Sequence, residues 1–291
     1  MPILRAIKKV TYVLLPLAWR KRLAVWLDRQ SWLTNRHEWS MLLIRDWAEK
    51  DVDAYHKFLW SEHLGYAKLY DSANSFGTEK ILPSRRLLFE DLLACLQDQG
   101  LEPAKDVRSI FEVGCSQGYL LRYAETELFP AATEIAGIDI DGTAIEAGKA
   151  YLAKQGSKIR LEHADMSELA NLLGAKSYDV ILCAGVLLYL KQAAAEEVVR
   201  TMVRHARSIV AIAGIGHPER DNSVLTASEQ RPWDAGMIHN IDAMVERAGG
   251  KVLRRRWEGG RELNGQRIHF VFASGKVPVA ALKLPSSPAV R

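Results

Sequence analysis

The chain has 291 residues, enough for one large domain or two small ones, and its 48% hydrophobic and 25% charged residues are those of an ordinary globular protein. Its net charge of +4 is uneven: residues 1–36 hold eight Lys/Arg against the single acid Asp28, +7 in all, which leaves −3 for the rest. The three cysteines, Cys95, Cys115 and Cys183, make no C-x-x-C. That excludes a zinc-site or dithiol signature, so no metal is expected, and it suits a reduced, cytoplasmic setting.

Residues 1–103 read as a helical region. Its first long apolar run, Thr11–Trp19, is about half the length that spans a bilayer and contains Pro16. Basic residues follow directly with no small-residue cleavage site, so a signal peptide is not indicated. Six of the eight tryptophans fall in the first 60 residues, mixed with Arg and Lys. Such a mixture fits an amphipathic helix lying at the inner membrane face, and equally a core or a set of cation–π contacts. For residues 1–36 both readings stand. From residue 38 on, Trp39, Leu43 and Trp47 recur at i, i+4, i+8 and predict a core-facing stripe. His63, Tyr66 and Tyr70 share the next helical face, ahead of Phe76-Gly77.

Residues 104–275 alternate β-rich and helical runs. Strands are expected at Val107–Val113, Ile135–Ile140, Lys158–His163, Tyr178–Ala184 and Ser208–Ala213. Helices are expected after Gly118, through Ala153, at Ser167–Leu173, Gln192–His205 and Ala235–Ala248, the last stopping at Gly249-Gly250. Lys251–Trp257 and Arg267–Ala273 close the pattern as an antiparallel hairpin joined by a Gly-rich loop. The expected fold is α/β: a seven-stranded, mostly parallel, Rossmann-like sheet with helices on both faces, plus an N-terminal helical cap. Residues 276–291, rich in Pro and Ser, read as a loose tail.

The chemistry centres on Phe111-Glu112-Val113-Gly114-Cys115-Ser116-Gln117-Gly118, a strand, a glycine turn and a helix start. Glycines let backbone approach a ligand, and the helix offers unpaired N–H groups. A dinucleotide fingerprint, G-x-G-x-x-G, fails at Ser116 and Tyr119. The acid expected about 20 residues on is present as Asp139, but a ribose of either cofactor type would use it.

Four segments, spread over about residues 108–273, together resemble the class I, Rossmann-like S-adenosylmethionine-dependent methyltransferase family. They are Glu112-x-Gly114-Cys115-Ser116-Gln117-Gly118, Gly137-Ile138-Asp139-Ile140-Asp141, His163-Ala164-Asp165-Met166, and Tyr178 to Leu190. The resemblance implies S-adenosylmethionine as cofactor. It implies that Glu112 accepts from the methionine ammonium, that Gly114 and Gly118 admit the cofactor beside the backbone, and that Asp139 holds the ribose. Ile140 would pack on adenine, Asp165 would accept from its amino group, and Met166 would lie nearby. Cys115 and Cys183 fall within these motifs beside the cofactor, and as small apolar groups they also read as core fillers. Acids at strand ends complement a cofactor that is cationic at sulfonium and ammonium, and ligands of open parallel sheets sit at such ends. The family often has Gly where this chain has Ser116. Taken alone, Asp139 and Asp165 also read as helix N-caps.

The expected reaction is methyl transfer by in-line displacement to a small or lipid/saccharide-type acceptor, at oxygen or carbon. The Asp/Asn-Pro-Pro-aromatic turn of base- and amide-methylating enzymes is replaced here by Cys183-Ala184-Gly185-Val186. Residues 214–234 are the expected acceptor wall, with His217 or His239 as general base. Tyr189 stands where relatives often carry His. A non-catalytic scaffold that binds S-adenosylmethionine or S-adenosylhomocysteine is the alternative. A nicotinamide-dependent oxidoreductase is a third, opposed by the lack of a Tyr-x-x-x-Lys pair. No nucleic-acid recognition motif is present, and oligomeric state is left open.

Overall fold

The structure, a computed structural model, describes residues 15–65, 67–68, 76–77, 81–231, 234–263 and 266–275, with backbone alone for 259–263 and 266. Tyr66, Tyr70 and the expected tail 276–291 lie outside the described residues.

Five strands run parallel: β1 (Ser109–Val113), β2 (Glu134–Asp139), β3 (Arg160–His163), β4 (Tyr178–Ala184) and β5 (Ala206–Ile215). A two-residue pair, β6 (Glu229–Gln230) with β7 (Met237–Ile238), stands apart. β8 (Val252–Leu263) and β9 (Gln266–Ser274) add an antiparallel hairpin through β9 on β5. The seven-stranded order is β3-β2-β1-β4-β5-β9-β8. The order reverses between β1 and β4, the switch point at which open sheets take ligands.

The strands are apolar on both sides because helices cover both. On one face Ile110, Leu182, Ala211 and Phe270 pack against α4 (Pro83–Asp98), α5 (Tyr119–Tyr123) and α6 (Gly142–Lys154). On the other, the alternate residues Phe111, Ile181, Val210 and Val271 meet α7 (Leu169–Leu173), α8 (Gln192–His205) and α9 (Ile241–Arg247). This is the double burial expected of a parallel sheet. Helix α4, read from sequence as part of the N-terminal region, buries Leu88, Leu92 and Leu96 against the sheet.

Ahead of it, α1 (Leu17–Asp28), α2 (Arg36–Lys50) and α3 (Val52–Ser61) make the cap, with a small core of its own: Ala24, Ile44, Ala48, Tyr55, Leu59 and Leu64. The buried line of α2 is Ser40, Ile44 and Ala48, not the expected stripe through Trp39, which is exposed. Small residues on either side of Ile44 let α1 approach closely at Ala24, where an indole would hold the helices apart. Trp47 stays half-buried at the edge of this core.

Two expected boundaries move. The last helix starts at Ile241 rather than Ala235. Asn240 caps it by accepting from the Ala243 N–H at 3.0 Å, and Ala235 takes a left-handed φ of 60°. The hairpin strands run on through the expected Gly-rich loop as far as Leu263.

Candidate active site

The site grows from the C-terminal end of β1. Glu112 is 1% exposed, and its Oε2 has no hydrogen-bond partner among the described residues. Burial pushes its carboxyl up to about 8, helped by the nearby Asp139 and opposed by Arg85. A buried carboxyl without a partner stays protonated until a cation meets it.

Beyond it the chain turns through three left-handed residues, Gly114 (φ 74°), Ser116 (φ 47°) and Gly118 (φ 82°). Gly114 has no substitute, because a Cβ there would lie 2.2 Å from Val186 Cγ2 of the fourth motif. The Ser116 N–H donates to Asp139 Oδ2 at 2.7 Å, and the Asp141 N–H donates to Asp139 Oδ1 at 2.9 Å. Asp139 thus ties the glycine turn to the end of β2. Asp141 caps α6 through the Ala144 N–H, and its other oxygen meets His63 Nδ1 at 2.6 Å.

Asp165 follows β3 and has two jobs. Its Oδ1 accepts from the Ser167 N–H at 2.9 Å, the capping role, while Oδ2 pairs with Lys57 of α3 at 2.5 Å. Burial alone would raise its pKa, but the bonds from Lys57 and Ser167 hold it below the usual carboxylate value.

These strand ends and α3 enclose a cavity of about 360 Å³. Of the residues expected at the cofactor, Gly114, Asp139, Ile140, Asp165 and Met166 line it. Glu112, Cys115, Gly118 and Cys183 do not. Gly118 packs on Leu161 and starts α5. The two thiols are fully buried; burial lifts Cys183 to about 12 and Cys115 well above its ordinary value, so both act as core fillers.

Neither expected base faces the cavity. His217 Nδ1 accepts from the N–H groups of Glu219 and Arg220 at 3.1 and 3.2 Å, and its Nε2 lies 3.3 Å from Glu229. His239 bonds Ser228 Oγ at 2.7 Å through Nδ1 and Leu187 O at 2.9 Å through Nε2. Both rings are staples of the segment after β5. Asn222 anchors the same segment, donating to Ile215 O and His239 O. No described residue of 214–234, the expected acceptor wall, lines the cavity.

Residues of the cap line it instead. Asp53, His56, Lys57 and Trp60 of α3 line the cavity with Tyr189. The Tyr189 ring lies against both His56 and Trp60, at centroid distances of 5.0 and 5.1 Å. His56 is 2% exposed, and burial lowers its pKa below the ordinary 6.5 despite a bond to Ala235 O. With Nε2–H donating to that carbonyl, the basic lone pair is on Nδ1. The signal was in the sequence: 53, 56, 57 and 60 follow i, i+3, i+4, i+7, one helical face that mixes polar and aromatic groups. Among the described residues, no cluster of three or more His, Cys, Asp or Glu is arranged to hold a metal ion.

Residues 110–208 match the family described as a methyltransferase domain. No curated protein matches the chain by sequence. Among solved structures, the chain is similar to magnesium protoporphyrin IX methyltransferase (ChlM) from Synechocystis PCC 6803 with bound SAM, with 13% identity over 78% of this chain and 98% of that one, at a TM-score of 0.53. It is also similar to an S-adenosylmethionine-dependent methyltransferase from Clostridium acetobutylicum ATCC 824, with 10% identity over 72% and 97% and a TM-score of 0.51. The [4+2]-cyclase SpnF shares 13% identity over 66% of this chain and 82% of that one, at a TM-score of 0.50. Identities this low speak to the fold, which is common to all three.

Proposed function

We infer that this chain, which belongs to the class I, Rossmann-like S-adenosylmethionine-dependent methyltransferases, methylates an oxygen of a small or lipid/saccharide-type acceptor that enters beneath α3. The observation that carries the reading is Glu112: a buried carboxyl oxygen with no hydrogen-bond partner among the described residues, just behind Gly114, where a Cβ would lie 2.2 Å from Val186. Such a site is completed by a cation. The residues fit the cofactor. Glu112 would take the ammonium, Asp139 the ribose hydroxyls, Ile140 the adenine face and Asp165 its amino group. Bound there, S-adenosylmethionine supplies a methyl group activated by positive sulfur, whose departure as a neutral thioether needs no acid from the protein.

The protein's remaining tasks are orientation, exclusion of water and removal of the acceptor proton. Of the titratable groups lining the cavity, Asp139 and Asp165 hold backbone and cap, Lys57 is paired, Asp51 caps α3, and Asp53 accepts from the Lys191 N–H. Among the described lining residues, His56 carries the imidazole that would take the acceptor proton. It stands against Tyr189, so the cap brings an imidazole next to the position where related chains often carry one. The chain lacks the Asp/Asn-Pro-Pro-aromatic turn after β4, which favours oxygen over amide or base nitrogen.

The test is calorimetric titration with S-adenosylhomocysteine, followed by a tritiated-methyl screen of hydroxyl-bearing acceptors. Micromolar binding with turnover is expected; binding without turnover on any acceptor would favour a scaffold. His56→Ala should cut turnover by ~10²–10⁴ and leave cofactor affinity intact. Because burial lowers the His56 pKa, wild-type turnover should be level above pH 6.5 and fall only on the acid side.

A further inference from the structure

Helix α1 is turned inside out. Its buried positions are Arg20, Ala24 and Asp28. Arg20 donates to Asp46 and to Leu43 O, and Asp28 is held by Lys68 and His37. The opposite side of the helix carries Trp19, Arg22 and Trp26, with Leu15 just before its start, Arg29 at its C-cap and Trp32 in the loop that follows. Trp19, Trp26 and Trp32 are 61%, 52% and 71% exposed. Single exposed apolar residues are commonplace, but a line of indoles facing solvent while charges face the core is not.

The charge on this face has one sign. From Leu15 to Asn35 the only acid is Asp28, and it is buried. Between α1 and α3 runs an open groove lined by Lys21, Arg22, Trp26, Arg29, Phe58 and Glu62. Lys21 Nζ sits 4.4–4.5 Å from the ring centroids of Phe58 and Trp47, which fixes a cation at the groove wall. Glu62 is the one acid there, 3.8 Å from Arg29.

We propose that this face of α1 is a docking surface for an anionic phospholipid membrane. The indoles would lie at the level of the glycerol and upper acyl region, with Lys21, Arg22 and Arg29 against lipid phosphates. Indoles alternating with cations on one face match the chemistry of an interface that is apolar below and negative above. A nucleic acid would use the cations but leave the indoles in water unless bases were unstacked. Among the described residues no helix is long and apolar enough to cross a membrane.

The experiment is cosedimentation of the full chain, without cofactor, with vesicles of phosphatidylcholine alone or containing 30–40% phosphatidylglycerol (about the anionic range that gives a strong surface potential). The readout is therefore independent of methyl transfer. Binding to the anionic vesicles only, falling steeply with salt, is expected. Brominated lipids should quench the tryptophan fluorescence. W19E/W26E/W32E should lower the bound fraction at least ~10-fold, and R22E/R29E should do so at low salt, both with unchanged thermal unfolding because these side chains are exposed. Three results would overturn the proposal: no vesicle binding by the wild type, a triple variant that sediments like wild type, or a dimer in solution that W26E dissociates. The second would transfer binding to residues 1–14, and the third would make the face a contact between two copies.

Discussion

At the scale of single residues, Glu112 couples stability, proton count and ligand. Its folded pKa of about 8 lies above the ordinary 4.5, because burial disfavours the anion. Between those values the folded protein holds a proton that the unfolded chain has lost, so stability from this group is full below pH 4.5 and lost as pH rises toward 8. Glu112→Gln keeps the shape without the charge. It should flatten the fall in melting temperature between about pH 5 and 8 while weakening S-adenosylhomocysteine binding by ~1–3 kcal/mol. Wild-type binding at pH 7 should release a proton, seen as a buffer-dependent heat, and the variant should not. A buffer-independent heat in the wild type would mean Glu112 does not meet the ammonium. Ser116 poses a separate question, since a serine at φ 47° bears a Cβ penalty that glycine avoids. Ser116→Gly should therefore stabilise the protein by roughly 1 kcal/mol, offset in part by the entropy of the freer unfolded chain, as read by urea unfolding. A loss of stability would mean that its side-chain contacts outweigh the backbone cost.

At the scale of elements, what was legible in sequence followed local patterns. β4 falls where its apolar run predicts, because a doubly covered strand is apolar at every position. The acids beyond β2 and β3 were placed because each ends such a run. His217 and His239 were not, since a histidine's role depends on which way a loop faces, and both turn inward to hold backbone. His56 was passed over because the Trp-rich helices read as a cap with a core; only the docking of α3 on the strand ends brings it to the cavity. The same docking sets Lys57 on Asp165. Half of that pair is exposed, so it contributes at most ~1 kcal/mol. If the cofactor's amino group takes the same carboxylate, Lys57 competes with it. Lys57→Ala should then tighten S-adenosylhomocysteine binding by up to ~5-fold, about the same energy. Weaker binding in that variant would make Lys57 part of the holding surface instead.

At the scale of the whole molecule, cap and sheet meet across a largely polar seam. The cap closes on its own apolar cluster, and the sheet has one on each face. Between them stand His63 on Asp141, Lys57 on Asp165, Asp53 on the Lys191 N–H, and His56 on Ala235 O. Apart from the Tyr189 ring packed on His56 and Trp60, the seam is held by polar contacts, so opening it should cost less than unfolding the sheet. The cavity lies in the seam, so a shift of the cap would change the room beside the strand ends. A cofactor held by strand ends and α3 together stabilises the closed arrangement by mass action, ~2.7 kcal/mol at a hundredfold excess over Kd. Amides of 52–61 should therefore exchange hydrogen faster than those of β1 and β4 in the free protein. They should slow by up to ~100-fold when S-adenosylhomocysteine is added at that excess. Equal protection of α3 and β4 in the free protein would make cap and sheet one cooperative unit and leave the acceptor to enter by another route.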